Sequence, residues 1–433
     1  MQPETTGIMN RTVLILAGVV CLCVPAARAQ TQSVTLDEAI VRALETLPSM
    51  VQARGAIGNA HATRLQSWGS WLPSVSASAG NSVNSSTRWD ERTQTTVSGS
   101  SSSYSTSLSA NMTLFDGFSR LADHRIANAE VASADASYIN TEFQTILQVK
   151  QAFFNALAAE ELVRISDTRI QRAQEQLNIS TEKLNAGTAT RSDTLRSHVE
   201  VANAELQRLQ AVTQLASAEA DLARLVGMEG SVTAEADEML LVIADVDTTS
   251  LREEALAASP QIQQADASER SAAAQHSATT AQYLPRASAS YSRSWSANDW
   301  LDLNPSWSAR LSFSWTLFNG FTRESNRTRS SWALESARAQ AEDIRRQVNS
   351  DLTLYLASLA AARTSLEIAE ANRAASEEDL RVQRERYRLG AATIVDVLAS
   401  QVNLDQAEVD IVQARFDYLV AKAQIEALVG REI

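Results

Sequence analysis

The 433-residue chain has no cysteine after Cys23. Both thiols, Cys21 and Cys23, lie in one apolar stretch near the N-terminus, so the rest of the chain can hold neither a disulfide framework nor a cysteine-ligated metal. Basic residues are also short: 38 Lys and Arg face 51 Asp and Glu, a formal charge of -13. That balance argues against a nucleic-acid partner, which would call for a basic surface. No run beyond Val24 is apolar enough for a membrane helix, so any crossing of a bilayer has to be made by strands. Glycine and proline are missing from residues 118–186 and 321–389, 69 residues each, and from 188–226 and 391–429, 39 residues each.

Met9-Asn10-Arg11 precedes the apolar run Val13 to Val24, and Ala27-Arg28-Ala29 offers a small-x-small cleavage pattern. Residues 1–29 read as a secretory leader; the run falls short of the roughly 20 residues that span a bilayer as a helix. Neither cysteine follows a small residue of the kind that precedes a lipoprotein processing site.

The unbroken segments are rich in Ala, Leu, Glu, Gln and Arg, with apolar residues at three- and four-residue spacing such as Leu206, Leu209, Val212 and Leu215. They predict helices over 118–186, 190–226, 321–389 and 393–429. At 1.5 Å per residue the longer pair would reach about 100 Å, a length that belongs to coiled coils or helical tubes. Small side chains on several faces favour a wall of helices over a two-stranded coil. Gly187 and Gly390 stand where each long helix folds back.

The chain repeats itself. TLFDGF at 113–118 returns as TLFNGF at 316–321, an offset of 203 that also relates Gly187 to Gly390 and Gly227 to Gly430. Upstream, Leu72-Pro73 matches Leu284-Pro285 and Pro48 matches Pro260 at an offset of 212. Two copies of one unit, 30–229 and 230–433, follow. The nine additional residues of the first copy fall between Pro73 and Thr113, and the expectation is a longer exposed loop near Trp89 to Ser103.

Between the first helix of each copy and the repeated phrase, Ser, Thr and Asn dominate, lysine is absent, and apolar residues alternate. Tyr104 to Leu114 and Trp307 to Leu317 alternate cleanly, and Val75 to Val83 and Ala287 to Trp295 less so. Four strands of about ten residues result, in two hairpins over about 73–115 and 285–318. This pattern suits a transmembrane strand with one face on lipid, or a soluble sheet with one wet face. Trp68, Trp71, Trp295, Trp307 and Trp315 near strand ends, and Phe115, Phe118, Phe318 and Phe321 at the junctions, resemble interfacial girdles. An open sheet edge cannot face lipid, so four strands per chain would have to be pooled with other copies.

The duplicated order of helix, strand hairpin and long helical hairpin resembles the TolC-like outer-membrane efflux protein family. The residues carrying the likeness are the two Leu-Pro pairs, TLFDGF and TLFNGF, the two glycine turns and GAATIVDVL from Gly390 to Leu398. The resemblance implies a homotrimer whose twelve-strand β-barrel in outer-membrane lipid continues as an α-helical barrel across the periplasm. It implies an exit duct joined through a periplasmic adaptor to an inner-membrane transporter, for efflux or type I secretion. It also puts Gly117 and Gly320 where strand becomes tube helix, and Asp193, Asp396 and Arg191 at a gated periplasmic tip. Ala392 and Ala399 stand where some members carry Arg and a second Asp, so the expectation is a single, looser acidic ring.

Thr190 to Asp193 and Thr393 to Asp396 also have capping-box spacing, which would place both aspartates at helix starts whatever else they do. His61, His124, His198 and His276 are scattered without metal-ligand spacing, and no serine has a paired base. No catalytic residue, metal or cofactor is expected. A coiled-coil surface protein and a periplasmic adaptor are the alternatives; the first predicts strict heptads, the second a single helical hairpin.

Overall fold

The computed structural model describes residues 32–235, 251–298 and 303–433. The leader reading over 1–29 lies outside the described residues, as do residues 236–250. Strand β1 (Gln32–Val34) leads into α1 (Leu36–Thr46) and α2 (Pro48–Gly69). Pro48 divides these two helices: it sits at the first position of α2, where its missing N–H costs nothing, and leaves Leu47 extended at ψ 134°. Strands β2 (Ser74–Asp90) and β3 (Thr95–Phe115) follow, then α3 (Ser119–Asn185) and α4 (Arg191–Val226). After β4 (Val232–Ala234) come α5 (Leu251–Ala258), α6 (Pro260–Ala278), a 3-10 turn (Thr279–Tyr283), β5 (Arg286–Ala297) and β6 (Asn304–Ser314). The chain closes with α7 (Thr322–Arg388) and α8 (Ile394–Val429). Helices α3 and α7 have 67 residues each, and α4 and α8 have 36 each.

The main core lies part-way along the long helices, where the short elements pack on them. Phe153, Phe154 and Leu157 of α3 meet Leu222 and Val226 of α4, Val348 and Leu352 of α7, and Phe416, Leu419 and Ile425 of α8. Ala39 and Ala43 of α1 and Leu251 and Ala255 of α5 close over them. Each fully buried Phe or Leu there contributes about 1.5–3 kcal/mol. The parallel pairing of β1 with β4, Gln32 on Val232 through Val34 on Ala234, ties the beginning of the first half to the beginning of the second. Toward the glycine turns the helices pack through small seams at three- and four-residue spacing: Ile394, Val397, Gln401 and Leu404 in α8, and Ser197, Val201 and Ala204 in α4. No helix among the described residues is long and apolar enough to cross a membrane.

The remaining strands form one antiparallel sheet in the order β2-β3-β5-β6. Its register sorts side chains by face. One face carries continuous rows of hydroxyls, Ser76, Ser109, Ser292 and Ser308 in one and Ser78, Ser107, Ser294 and Ser306 in the next. Paired serines touch at 2.8 Å in β2 and β3 and at 2.9 Å in β5 and β6. The opposite face carries Leu108, Met112, Tyr291, Trp307, Leu311 and Phe313, all exposed in the single chain. Strand β6 stops at Ser314 rather than Leu317, because its partner β5 is preceded by Pro285, which has no N–H to donate.

The expected long loop in the first hairpin is not there. Residues 74–90 and 95–115 pair throughout, from Ser74 on Asn111 to Asp90 on Thr95, and only residues 91–94 turn. The Asp90 carboxylate accepts from the Arg92 N–H at 3.0 Å and Gln94 takes a left-handed φ of 46°, which closes a tight turn. With small residues such as Ser and Thr alternating on both sides, the extra length goes into the ladder instead of a loop.

Candidate functional site: the helical tip, its buried charge cluster and the strand-to-helix junctions

At the far end of α3 and α7 the chain reverses through Gly187 (φ +74°) and Gly390 (φ +80°). The Thr188 N–H reaches back to the Lys183 carbonyl at 2.8 Å and the Ala391 N–H to the Arg386 carbonyl at 2.7 Å, which satisfies the helix ends. Helices α4 and α8 then start with complete capping boxes. The Asp193 carboxylate accepts from the Thr190 N–H at 3.0 Å, and the Thr190 hydroxyl accepts from the Asp193 N–H at 3.3 Å. In the equivalent box the Asp396 carboxylate accepts from the Thr393 N–H and hydroxyl, both at 2.8 Å.

Asp396 is exposed, Asp193 half-buried, and Arg191 exposed with no ion pair among the described residues. The Thr393 N–H, its hydroxyl and the nearby Arg386 charge hold the Asp396 carboxyl below the usual range. A lowered carboxyl stabilises the fold above its unfolded-state value, and that contribution disappears as pH falls through the folded value. The protection of the amides at residues 394–398, measured against their intrinsic exchange rates, is therefore expected to fall on acidification, and Asp396→Asn should remove that fall.

Two residues that the sequence reading passed over join the two turns. The Lys183 ammonium donates to the Tyr387 carbonyl and, at 3.1 Å, to the Arg388 carbonyl, and it lies 4.6 Å from the centre of the Tyr387 ring. Tyr387 packs with Leu380, Ile394, Val397 and Leu404. Burial pushes its phenol up, although the neighbouring Ser180 hydroxyl pulls it down; the Asp193 charge adds to the rise.

Further along the helices, a buried charge cluster joins α3 to α8. Asp405 pairs with Arg172 at 2.8 Å and with Arg169 at 2.9 Å. Arg172 forks onto Glu408 at 2.9 and 2.6 Å, and Arg169 pairs with Glu200 of α4 at 2.8 Å. Burial pushes the Asp405 carboxyl up against the pull of the two arginines, and it pushes the Arg384 guanidinium on α7 down. The signal in sequence was an i, i+3 arginine pair and an i, i+3 acid pair, but nothing local says that they meet 233 residues apart. One turn before Asp405, Gln401 is fully buried and neither atom of its amide has a hydrogen-bond partner among the described residues. Gln401→Leu is expected to raise stability by about 1–3 kcal/mol, measured as a higher thermal transition.

At the other end of the long helices the repeated phrase makes a sharp corner. Gly117 and Phe118, and likewise Gly320 and Phe321, are consecutive left-handed residues, with φ of 72° and 67° in the first pair and 66° and 64° in the second. Phe115 meets Phe118 edge-on at 5.4 Å, and Phe318 meets Phe321 in the same way at 5.4 Å. Arg120 and Arg323, both buried, tie each helix start to the strand it leaves. Arg120 donates to the Asp116 carboxylate at 3.0 Å and lies 4.4 Å over the Trp71 ring. Arg323 donates to the Thr316 and Leu317 carbonyls at 3.0 and 2.8 Å and lies 4.8 Å over the Tyr283 ring. Their signal was legible: the repeat extends two residues past the phrase, as Ser119-Arg120 and Thr322-Arg323.

Comparison with known proteins agrees with this geometry. The family model described as outer membrane efflux protein matches residues 39–228 and 251–431. The chain belongs to the outer membrane efflux protein family. A curated relative, the alkaline protease secretion protein AprF of Pseudomonas aeruginosa, is 27% identical over 138 residues; the match covers 30% of this chain and 28% of that protein. Among solved structures, the outer membrane protein VceC of Vibrio cholerae superposes with a TM-score of 0.76 at 18% identity, covering 92% of this chain and 96% of that one. The Campylobacter jejuni CmeC outer membrane channel superposes with a TM-score of 0.78 at 15% identity, covering 91% and 85%. These likenesses establish the fold.

Proposed function

We propose that three copies of this chain form an outer-membrane exit duct with a gated periplasmic tip. The observation that carries the reading is the four-stranded sheet, which has an apolar exposed face and outward edges on β2 and β6 that pair with nothing among the described residues. Such a sheet is stable in lipid only when closed, and four strands per chain close as twelve in a trimer or eight in a dimer. The family resemblance favours three. Exposed apolar stripes on the helices support the same pooling: Leu195, Val199, Leu206 and Leu209 on α4, and Val395, Val402 and Val409 on α8, form seams for neighbouring helices.

In this reading the serine rows line the water-filled barrel, the Gly-Phe corners mark the exit from the membrane, and the helices enclose a periplasmic tube. Asp396 and its equivalent Asp193 ring the tip, where a concentrated negative potential favours cations. A periplasmic adaptor and an inner-membrane transporter deliver cargo to that tip. AprF is named for protein secretion and CmeC is described as a channel. A duct of this kind serves either task, because the cargo is chosen upstream.

The test is conductance of the purified oligomer in a planar bilayer. Small, discrete, cation-selective steps are expected, with cation selectivity reduced in Asp396→Ala. Unchanged selectivity in that variant would remove the acidic ring. An inserted oligomer that stays silent even with its adaptor present would remove the duct.

A further inference from the structure

We propose that Arg293, framed by Trp295, Trp307 and Tyr291, holds the phosphate of a lipid head group at the outer rim of the sheet. This rests on the duct reading, in which the apolar face meets lipid. On that face, across all four strands, Arg293 is the single charged residue. Every other arginine or acid of these strands occupies the serine face or the end of a strand, Arg286 and Arg310 among them.

A guanidinium that faces lipid is costly at the midplane and nearly free at an interface, so its depth matters. The end of β5 and β6 where Ser296 pairs with Asn304 lies opposite the end that joins the helices, which makes it the outer one. The apolar rows run from Trp307 down to Trp315, just past the strand, where the indole donates to the Tyr283 carbonyl at 3.2 Å. Eight residues span about 27 Å along a strand, or roughly 20 Å of height at a barrel tilt near 40°. That is close to the full apolar band of about 25 Å. The two tryptophans thus mark its two edges, and Arg293, directly opposite Trp307, sits in the outer one.

The surroundings of Arg293 select an anion. Leu108 and Trp307 flank it in its own row, Thr106 and Trp295 lie in the row above, and Tyr291 lies in the row below on the same strand. Its guanidinium rests 5.3 Å from the centre of the Trp295 ring, and no carboxylate pairs with it among the described residues. The polar atoms available are donors: guanidinium N–H, two indole N–H, and the Tyr and Thr hydroxyls. Five donor groups and, among the described residues, no acid on an apolar wall match a phosphate whose acyl chains lie against Tyr291, Ala309 and Leu311 below. The equivalent level of the first hairpin, Ala77 and Leu108, has no cation, so each chain offers one such place.

The experiment uses the full-chain oligomer in mild detergent, incubated with bis-phosphorylated lipid A, with the same lipid dephosphorylated, or with inorganic phosphate, and read by native mass spectrometry. The wild-type oligomer should retain the phosphorylated lipid about tenfold more than the dephosphorylated one, and inorganic phosphate should not displace it. Arg293→Gln should lose that preference while keeping its oligomeric state and bilayer conductance, and Arg293→Lys should keep a part of it. Equal retention by Arg293→Gln overturns the assignment, as does a conducting wild-type oligomer with no preference for phosphate, or displacement by inorganic phosphate. A wild-type chain that neither oligomerises nor conducts overturns the duct reading itself.

Discussion

Asp405→Ala is expected to be among the most damaging substitutions in the helical part, at about 3 kcal/mol or more. The carboxylate is 5% exposed and faces two arginines, and removing one member of a buried ionic group leaves the others desolvated without compensation, typically costing 3–5 kcal/mol. Glu408 and Glu200 still hold one arginine each, which keeps the effect toward the low end of that range. Asp405→Asn retains shape and one acceptor and should cost less. The check is the thermal transition of the purified oligomer, together with protease sensitivity of α8. A transition within a degree of the parent would show that the cluster adds no stability. Because it links α3 to α8, loss of Asp405 should also loosen one helical hairpin from the other ahead of either hairpin's own melting.

The second large effect is an asymmetry between two glycines that look interchangeable in sequence. A Cβ on Gly117 would lie 2.7 Å from the Ala281 carbonyl oxygen and 2.7 Å from Leu284 Cβ, whereas one on Gly320 meets nothing within 4 Å among the described residues. Both positions carry the left-handed penalty of about 1–2 kcal/mol for a side chain. At Gly117 a clash with backbone adds about 1–3 kcal/mol. Gly117→Ala is therefore expected to cost about 3 kcal/mol or more and to lower oligomer yield, while Gly320→Ala costs about 1–2 kcal/mol and assembles. Thermal dissociation of the two variants side by side decides it. Equal losses would mean that the corner moves freely enough to absorb the contact.

Much of the helical frame was legible because it is written in absences. Without glycine or proline, 118–186 and 321–389 had no place to stop, and the helices run Ser119–Asn185 and Thr322–Arg388. The Thr-x-x-Asp spacing declared the capping boxes, since that bond is made within four residues. The break at Leu47-Pro48 was missed because Pro48 served only as a marker of the repeat, although its effect on the preceding residue is local. The ribbon in the first hairpin was misjudged because a length difference between two copies does not say whether the extra residues pair. The charge cluster, the Lys183 to Tyr387 link and the Arg293 surroundings were out of reach for a different reason. Each depends on which faces of distant segments meet, and the pattern of one helix or strand carries only its own side of that contact.

The unequal hairpins have one more consequence. Pairing between β3 and β5 ends at Tyr104 and Ala297, yet β2 and β3 continue together to Asp90 and Thr95, about 30 Å of two-stranded ribbon whose flanks pair with no other strand among the described residues. In the proposed trimer the mouth would not be a flat collar level with the lipid head groups. Three hydroxyl-coated masts would stand around it, and material leaving the duct would be let go well above the bilayer, clear of the surface from which it could partition back into the cell.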